Sequence, residues 1–139
     1  EWFQPMDKKV GAQTEFSVDG LDKLPRVDIL YAHANMSADL IEAAVKNGAK
    51  GIVVAGVGDG NMTTPALETL KKAAASGVVV VRSTRLPKGL VLRNNEVNDD
   101  KMGFVASGEL NPAKSRVLLQ LALTKTSEPK RIQAMFYEY

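Results

Sequence analysis

The sequence contains no cysteine, and that single absence removes disulfides, thiolate catalysis and cysteine-bound zinc together. It has one histidine, His33, so no imidazole pair is available and a zinc site is not expected. A lone histidine at a strand end reads as a partly exposed polar tip, not a catalytic base. Long apolar runs are also lacking. No stretch reaches the roughly 18 residues of a spanning helix, so no membrane partner is expected. The net charge is only +2, and Lys and Arg are scattered without a basic stripe of interleaved aromatics, which argues against nucleic acid. No Gly-x-Ser-x-Gly elbow occurs, so serine catalysis has no support, and Ser83 and Ser107 read as strand-end hydroxyls. The chain also lacks an initiator methionine and a signal-like segment. Glu1-Trp2-Phe3-Gln4-Pro5 reads as the end of a strand already under way, so further residues are expected upstream.

What is present suits one globular domain over 1–139. The length of 139 residues and a hydrophobic share of 45% support a single core and not two. Residues 5–26 are polar and broken by Pro5, Gly11, Gly20 and Pro25, a loop with a short extended piece near Glu15-Phe16-Ser17-Val18. Val27-Asp28-Ile29-Leu30-Tyr31-Ala32 reads as a strand. Ser37 then caps a helix whose apolar spacing runs through Leu40, Ile41, Ala44 and Val45 to a stop near Asn47-Gly48. A second strand spans 51–55. Thr64 followed by Pro65 opens a second helix, with Ala66, Leu67, Leu70, Ala73 and Ala74 inward and a stop at Ser76-Gly77. A third strand covers 78–83. Strand-helix alternation of this kind makes an α/β domain with a largely parallel sheet and flanking helices. Residues 84–103 form a long loop, the kind that is functional or an interface. Phe104-Val105-Ala106 follows as a short strand. Asn111-Pro112 opens a helix with Val117, Leu118, Leu121 and Ala122 inward, and Ser127 starts a last helix carrying Ile132, Met135 and Phe136.

The most informative stretch is Gly51-Ile52-Val53-Val54-Ala55-Gly56-Val57-Gly58-Asp59-Gly60-Asn61. A β-branched run buried on both faces leads into three glycines in five positions. Ligands of open α/β sheets lie at the carboxyl ends of strands, where this loop falls. A phosphate cradle does not fit, because the glycine spacing departs from the dinucleotide fingerprint and no Gly-Lys-Ser/Thr follows. Asn61 carries both donor and acceptor at the end of the loop. Glu96 lies in the loop after the third strand. If the second and third strands are neighbours, both side chains project at one edge, where a carboxylate and a carboxamide could hold a small ammonium-bearing ligand. On the residues alone, Glu96, Asp99 and Asp100 read more plainly as solvated loop charges.

Several ordered segments then resemble the C-terminal domain of bacterial type II L-asparaginases and glutaminase-asparaginases. These are Val27-Asp-Ile-Leu-Tyr31, Gly51 to Asn61, Val80-Val-Arg-Ser83, Glu96-Val97, Gly103-Phe-Val-Ala-Ser-Gly108 and Leu110-Asn-Pro112. The helix from Ala113 to Thr126 and the Phe-x-x-Tyr ending at Tyr139 agree, so the resemblance covers essentially the whole chain. It implies one part of a two-domain subunit. Such enzymes hydrolyse the side-chain amide of L-asparagine, and often L-glutamine, to L-aspartate or L-glutamate and ammonia, and the resemblance implies that they do so without metal or organic cofactor. The resemblance places the threonine nucleophile, a second threonine, an aspartate and a lysine in an N-terminal domain, so no catalytic residue is expected in this chain. Asn61 and Glu96 are the implied substrate-binding residues, reaching into a neighbouring subunit's active site at the ligand's α-amino end. A homotetramer and a periplasmic or secreted location are implied as well. Asp59 departs from the Asn found in many relatives. It adds a negative charge near the subunit boundary, and the preference between asparagine and glutamine stays open. A non-enzymatic small-amino-acid binding module and an interaction domain whose long loop packs on a partner remain the rival readings.

Overall fold

A computed structural model describes residues 8–139; the strand end expected at residues 1–5 lies outside the described residues. Four parallel strands, β1 (Val27–Tyr31), β2 (Gly51–Gly56), β3 (Val79–Thr84) and β4 (Phe104–Ala106), lie side by side in chain order. The helices are α1 (Asp39–Lys46), α2 (Thr64–Ala75), α3 (Asp99–Met102), α4 (Pro112–Ala122) and α5 (Pro129–Glu138). The α/β class and the parallel sheet agree with the sequence pattern. No regular strand forms at 15–18.

Alternation along the strands divides the core in two. Ile52, Val54 and Val80 face one layer with Ile41, Leu70 and Ala73 from α1 and α2. Val53, Val79, Val81 and Val105 face the other, with Leu118, Leu119, Ile132, Met135 and Phe136 from α4 and α5. Both faces of β2 and β3 are therefore covered, which is why every residue of these strands is buried. The edge strand β4 is covered by a side chain: Gln133 accepts from the Ala106 amide at 2.8 Å and donates to its carbonyl at 3.1 Å. This reproduces the two bonds of a further strand and blunts an open edge.

Helix starts shift by one residue from the sequence reading in three places. The N-cap of α1 is Ala38, and the Ser37 hydroxyl bonds to the Asp39 carboxylate. Thr63, not Thr64, precedes α2, and its hydroxyl donates to the Met36 carbonyl at 2.9 Å, tying this helix start to the loop before α1. Glu128 precedes α5, with Pro129 in its first turn. Asn111 caps α4 as expected, accepting from the Lys114 amide at 2.9 Å. The inward face of α4 is Ser115, Leu118, Leu119 and Ala122; Val117 is 53% exposed. The stripe follows i, i+3, i+4 and i+7 from Ser115, and this register leaves Val117 on the outside.

Candidate functional site at the carboxyl edge of the sheet

Strands β2 and β3 pair in parallel, with Gly56 opposite Thr84, so the loops that leave them open on one edge. The first loop closes on itself. The Val57 amide donates to the Asn61 carbonyl and the Asn61 amide to the Val57 carbonyl, both at 2.8 Å. Gly60 has a φ of +75°, and a Cβ on Gly56 would sit 2.4 Å from the Gly60 carbonyl carbon. A Cβ on Gly60 would come within 2.9 Å of an Arg82 guanidinium nitrogen. These two glycines thus allow close approach of the chain to itself. With its terminal amides bonded to its own carbonyls, the loop is not arranged as a phosphate cradle.

Arg82 is fully buried within β3. Its Nε and Nη2 donate to the two carboxylate oxygens of Asp99 at 2.6 and 2.8 Å. Its Nη1 donates to the Asp59 carbonyl at 2.7 Å, and Nη2 also reaches the Leu92 carbonyl at 3.0 Å. Asp99 is fully buried too, and its Oδ2 accepts from the Asn94 amide at 2.8 Å. A buried charge is tolerable when it is paired and its remaining donors are satisfied. Here the bidentate pair fixes both loops to β3.

A second tie runs directly between the loops. Asp59 Oδ1 accepts from the Leu92 amide and Oδ2 from the Asn95 side-chain amide, both at 2.7 Å. The Asp59 charge is therefore engaged with donors of its own chain. At the end of the second loop, Asn98 accepts from the Lys101 amide at 2.9 Å and caps α3. Asp100 is bonded by Asn94 Nδ2 at 2.8 Å and by the Arg93 guanidinium. These side-chain bonds, the Asn94 amide first and Arg93 second, hold its carboxyl below the ordinary range.

The structure brings the loops bearing the two expected residues together. Asn61 is half-buried, two residues after Asp59. Glu96 is exposed, between Asn95, which is bonded to Asp59, and Val97, which is buried. Among the described residues, the side chains of Asn61 and Glu96 have no hydrogen-bond or ion-pair partner. They are free to receive a ligand, with a carboxylate for an ammonium and an amide that both donates and accepts. His33 is exposed, with Nδ1 2.8 Å from the Ala34 carbonyl. Among the described residues, no group of three or more metal-ligating side chains is close enough to hold an ion. Sequence reasoning missed Arg82 and Asp99 and the bonds made by Asp59. The available signal was an arginine at the end of a valine run, which needs a buried counter-charge.

The family model of the Glutaminase/Asparaginase C-terminal domain matches residues 26–136. The chain belongs to this family. It is 51% identical, over 96% of its length, to the probable periplasmic L-asparaginase of Haemophilus influenzae. Against L-asparaginase 2 of Escherichia coli it is 50% identical over 95% of its length. Against the glutaminase-asparaginase of Acinetobacter glutaminasificans it is 43% identical over 99%. The chain spans 38% of the length of the first two relatives and 43% of the third. The four parallel strands and flanking helices are thus the architecture of an asparaginase-family C-terminal domain.

Proposed function

We propose that this chain is the substrate-positioning domain of an amidohydrolase that cleaves the side-chain amide of L-asparagine or L-glutamine. The products are aspartate or glutamate and ammonia. The observation that carries this reading is the pairing of two loops at one sheet edge, each presenting a side chain with no partner of its own. Glu96 takes the α-amino group of the substrate through a charge-assisted hydrogen bond, and Asn61 orients it. The threonine nucleophile belongs to an N-terminal domain outside this chain, and the active site is completed across a subunit boundary in a homotetramer. Relatives named as asparaginases and glutaminase-asparaginases support the reaction class, and the one named periplasmic supports an exported enzyme.

In such a site the contribution of Asn61 and Glu96 is orientation. A substrate held in near-attack geometry meets a nucleophile on another chain as if it were at very high local concentration. The test is Glu96→Gln in the full-length enzyme, with aspartate binding followed by calorimetry. The variant keeps the shape of the side chain and loses the charge. Binding weakens by about 1.5–3 kcal/mol, the usual worth of a hydrogen bond to a charged group. Unchanged affinity would make Glu96 a bystander.

A further inference from the structure

We propose that Asp59 is a positioning residue for substrate binding, its carboxylate clamping the Glu96 loop to the Asn61 loop and so fixing the separation of those two side chains. This inference rests on the ligand roles given above to Asn61 and Glu96. The clamp has two bonds, one to the backbone at Leu92 and one to the side chain of Asn95, each at 2.7 Å. Asn95 directly precedes Glu96, so its bond to Asp59 sets where the carboxylate of Glu96 begins. On the other side, Asp59 lies inside the short closed loop whose end is Asn61. A bond between these two residues therefore spans the gap across which a ligand is held.

The Arg82–Asp99 pair anchors the same loops from beneath, yet it cannot do this work by itself. It grips the carbonyls of Asp59 and Leu92 and the amide of Asn94, and none of these bonds reaches residue 95. The Asn95 side chain makes its one hydrogen bond to Asp59 Oδ2. Loss of that bond frees the segment between Asn94 and the buried Val97 while leaving the buried ion pair whole. A shift of about 1 Å in a positioning group can cost as much as a hundredfold in rate.

Donor and acceptor at this clamp can be exchanged, which gives a direct test in the full-length enzyme. Asn95→Asp sets two carboxylates against each other and opens the clamp. Asp59→Asn combined with Asn95→Asp restores it with the roles reversed. The new carboxamide at position 59 then donates to the new carboxylate at position 95 and still accepts from the Leu92 amide. For Asn95→Asp and for Asp59→Ala, KM for asparagine rises roughly tenfold or more, by a larger factor than kcat falls. The double variant returns KM to within about twofold of the parent enzyme, since the pair then regains its coupling. Parent-like KM in Asn95→Asp, or no recovery in the double variant, would overturn the proposal. So would a drop in thermal midpoint with KM unmoved, the mark of a purely structural bond. Glu96→Gln is run beside these variants. If it leaves binding unchanged, the ligand role of Glu96 and the clamp proposal fall together; if it weakens binding while Asn95→Asp and Asp59→Ala do not, only the clamp proposal falls.

Discussion

Arg82 follows four valines in the sequence and is as inaccessible as they are. Every nitrogen of its guanidinium has a partner, two of them on one carboxylate. Replacing it with methionine would preserve most of the packing volume but leave Asp99 buried without its counter-charge. Breaking a buried pair in this one-sided way costs about 3–5 kcal/mol, so Arg82→Met lowers the urea midpoint by a corresponding amount. Arg82→Lys keeps the charge and loses the fork, and the expected order of stability is parent, then lysine, then methionine. A methionine variant as stable as the parent would contradict this. The residue was legible in the sequence only as a position near the end of a strand. Its partner lies 17 positions away, in a segment without periodicity, and a carboxylate in an acidic cluster reads as solvated unless the cation that buries it is known. The same gap hid the engagement of Asp59, because hydrogen bonds between loops leave no repeat in the sequence. The shared edge of the Asn61 and Glu96 loops was legible for the opposite reason: each loop leaves the carboxyl end of a strand, and topology assigns that edge once the strand order is known.

Strand and helix positions followed from patterns the sequence displays: a short apolar run in β1, β-branched runs in β2 and β3, and three-to-four spacing in α1, α2, α4 and α5. The four-residue α3 is too short to carry a period and is charged along most of its length, so residues 84–103 read as loop throughout. Its N-terminal turn is held by an exchange of bonds. Asn94 donates to Asp100 through Nδ2, and the Asp100 amide donates back to Asn94 Oδ1 at 3.1 Å. Because Asn94 and then Arg93 hold the folded Asp100 carboxyl below its ordinary range, the sign of the pH effect is fixed. The contribution is fully present above the unfolded value, near 4 for an aspartate, and is lost as pH falls through the lower folded value. The side-chain amide resonances of Asn94 therefore stay constant from neutral pH down to about 4 and move only below it. Asp100→Asn removes that movement. A midpoint at or above the ordinary carboxylate range would show that the turn is not held this way.

Among the described residues, most serine and threonine hydroxyls are bonded to the backbone and not to a base. Thr63 and Ser83 donate to the carbonyls of Met36 and Leu110, Ser115 also donates to Leu110, and the Thr84 oxygen accepts from the Leu86 amide. Ser107 is fully buried and its hydroxyl has no partner among the described residues. Among the described serines and threonines, only Ser37 meets a carboxylate, that of Asp39, at the exposed start of α1 and away from the sheet edge that bears Asn61 and Glu96. A hydroxyl at its free pKa is a weak nucleophile and needs an adjacent base or a lowered pKa to act. No such pairing stands at the candidate site, which offers one carboxylate and one amide and nothing that attacks. The purified 139-residue chain therefore releases no ammonia from asparagine or glutamine above the uncatalysed rate, in a coupled assay sensitive to a single turnover. It also binds aspartate only weakly by calorimetry: under the proposed function Asn61 and Glu96 are half of a pocket, and two such groups do not offset the ordering cost of the ligand. Ammonia release by the chain would place a nucleophile within it and overturn the division of labour proposed here. Tight aspartate binding without turnover would instead make the domain an amino-acid receptor in its own right, with Asn61 and Glu96 sufficient for recognition.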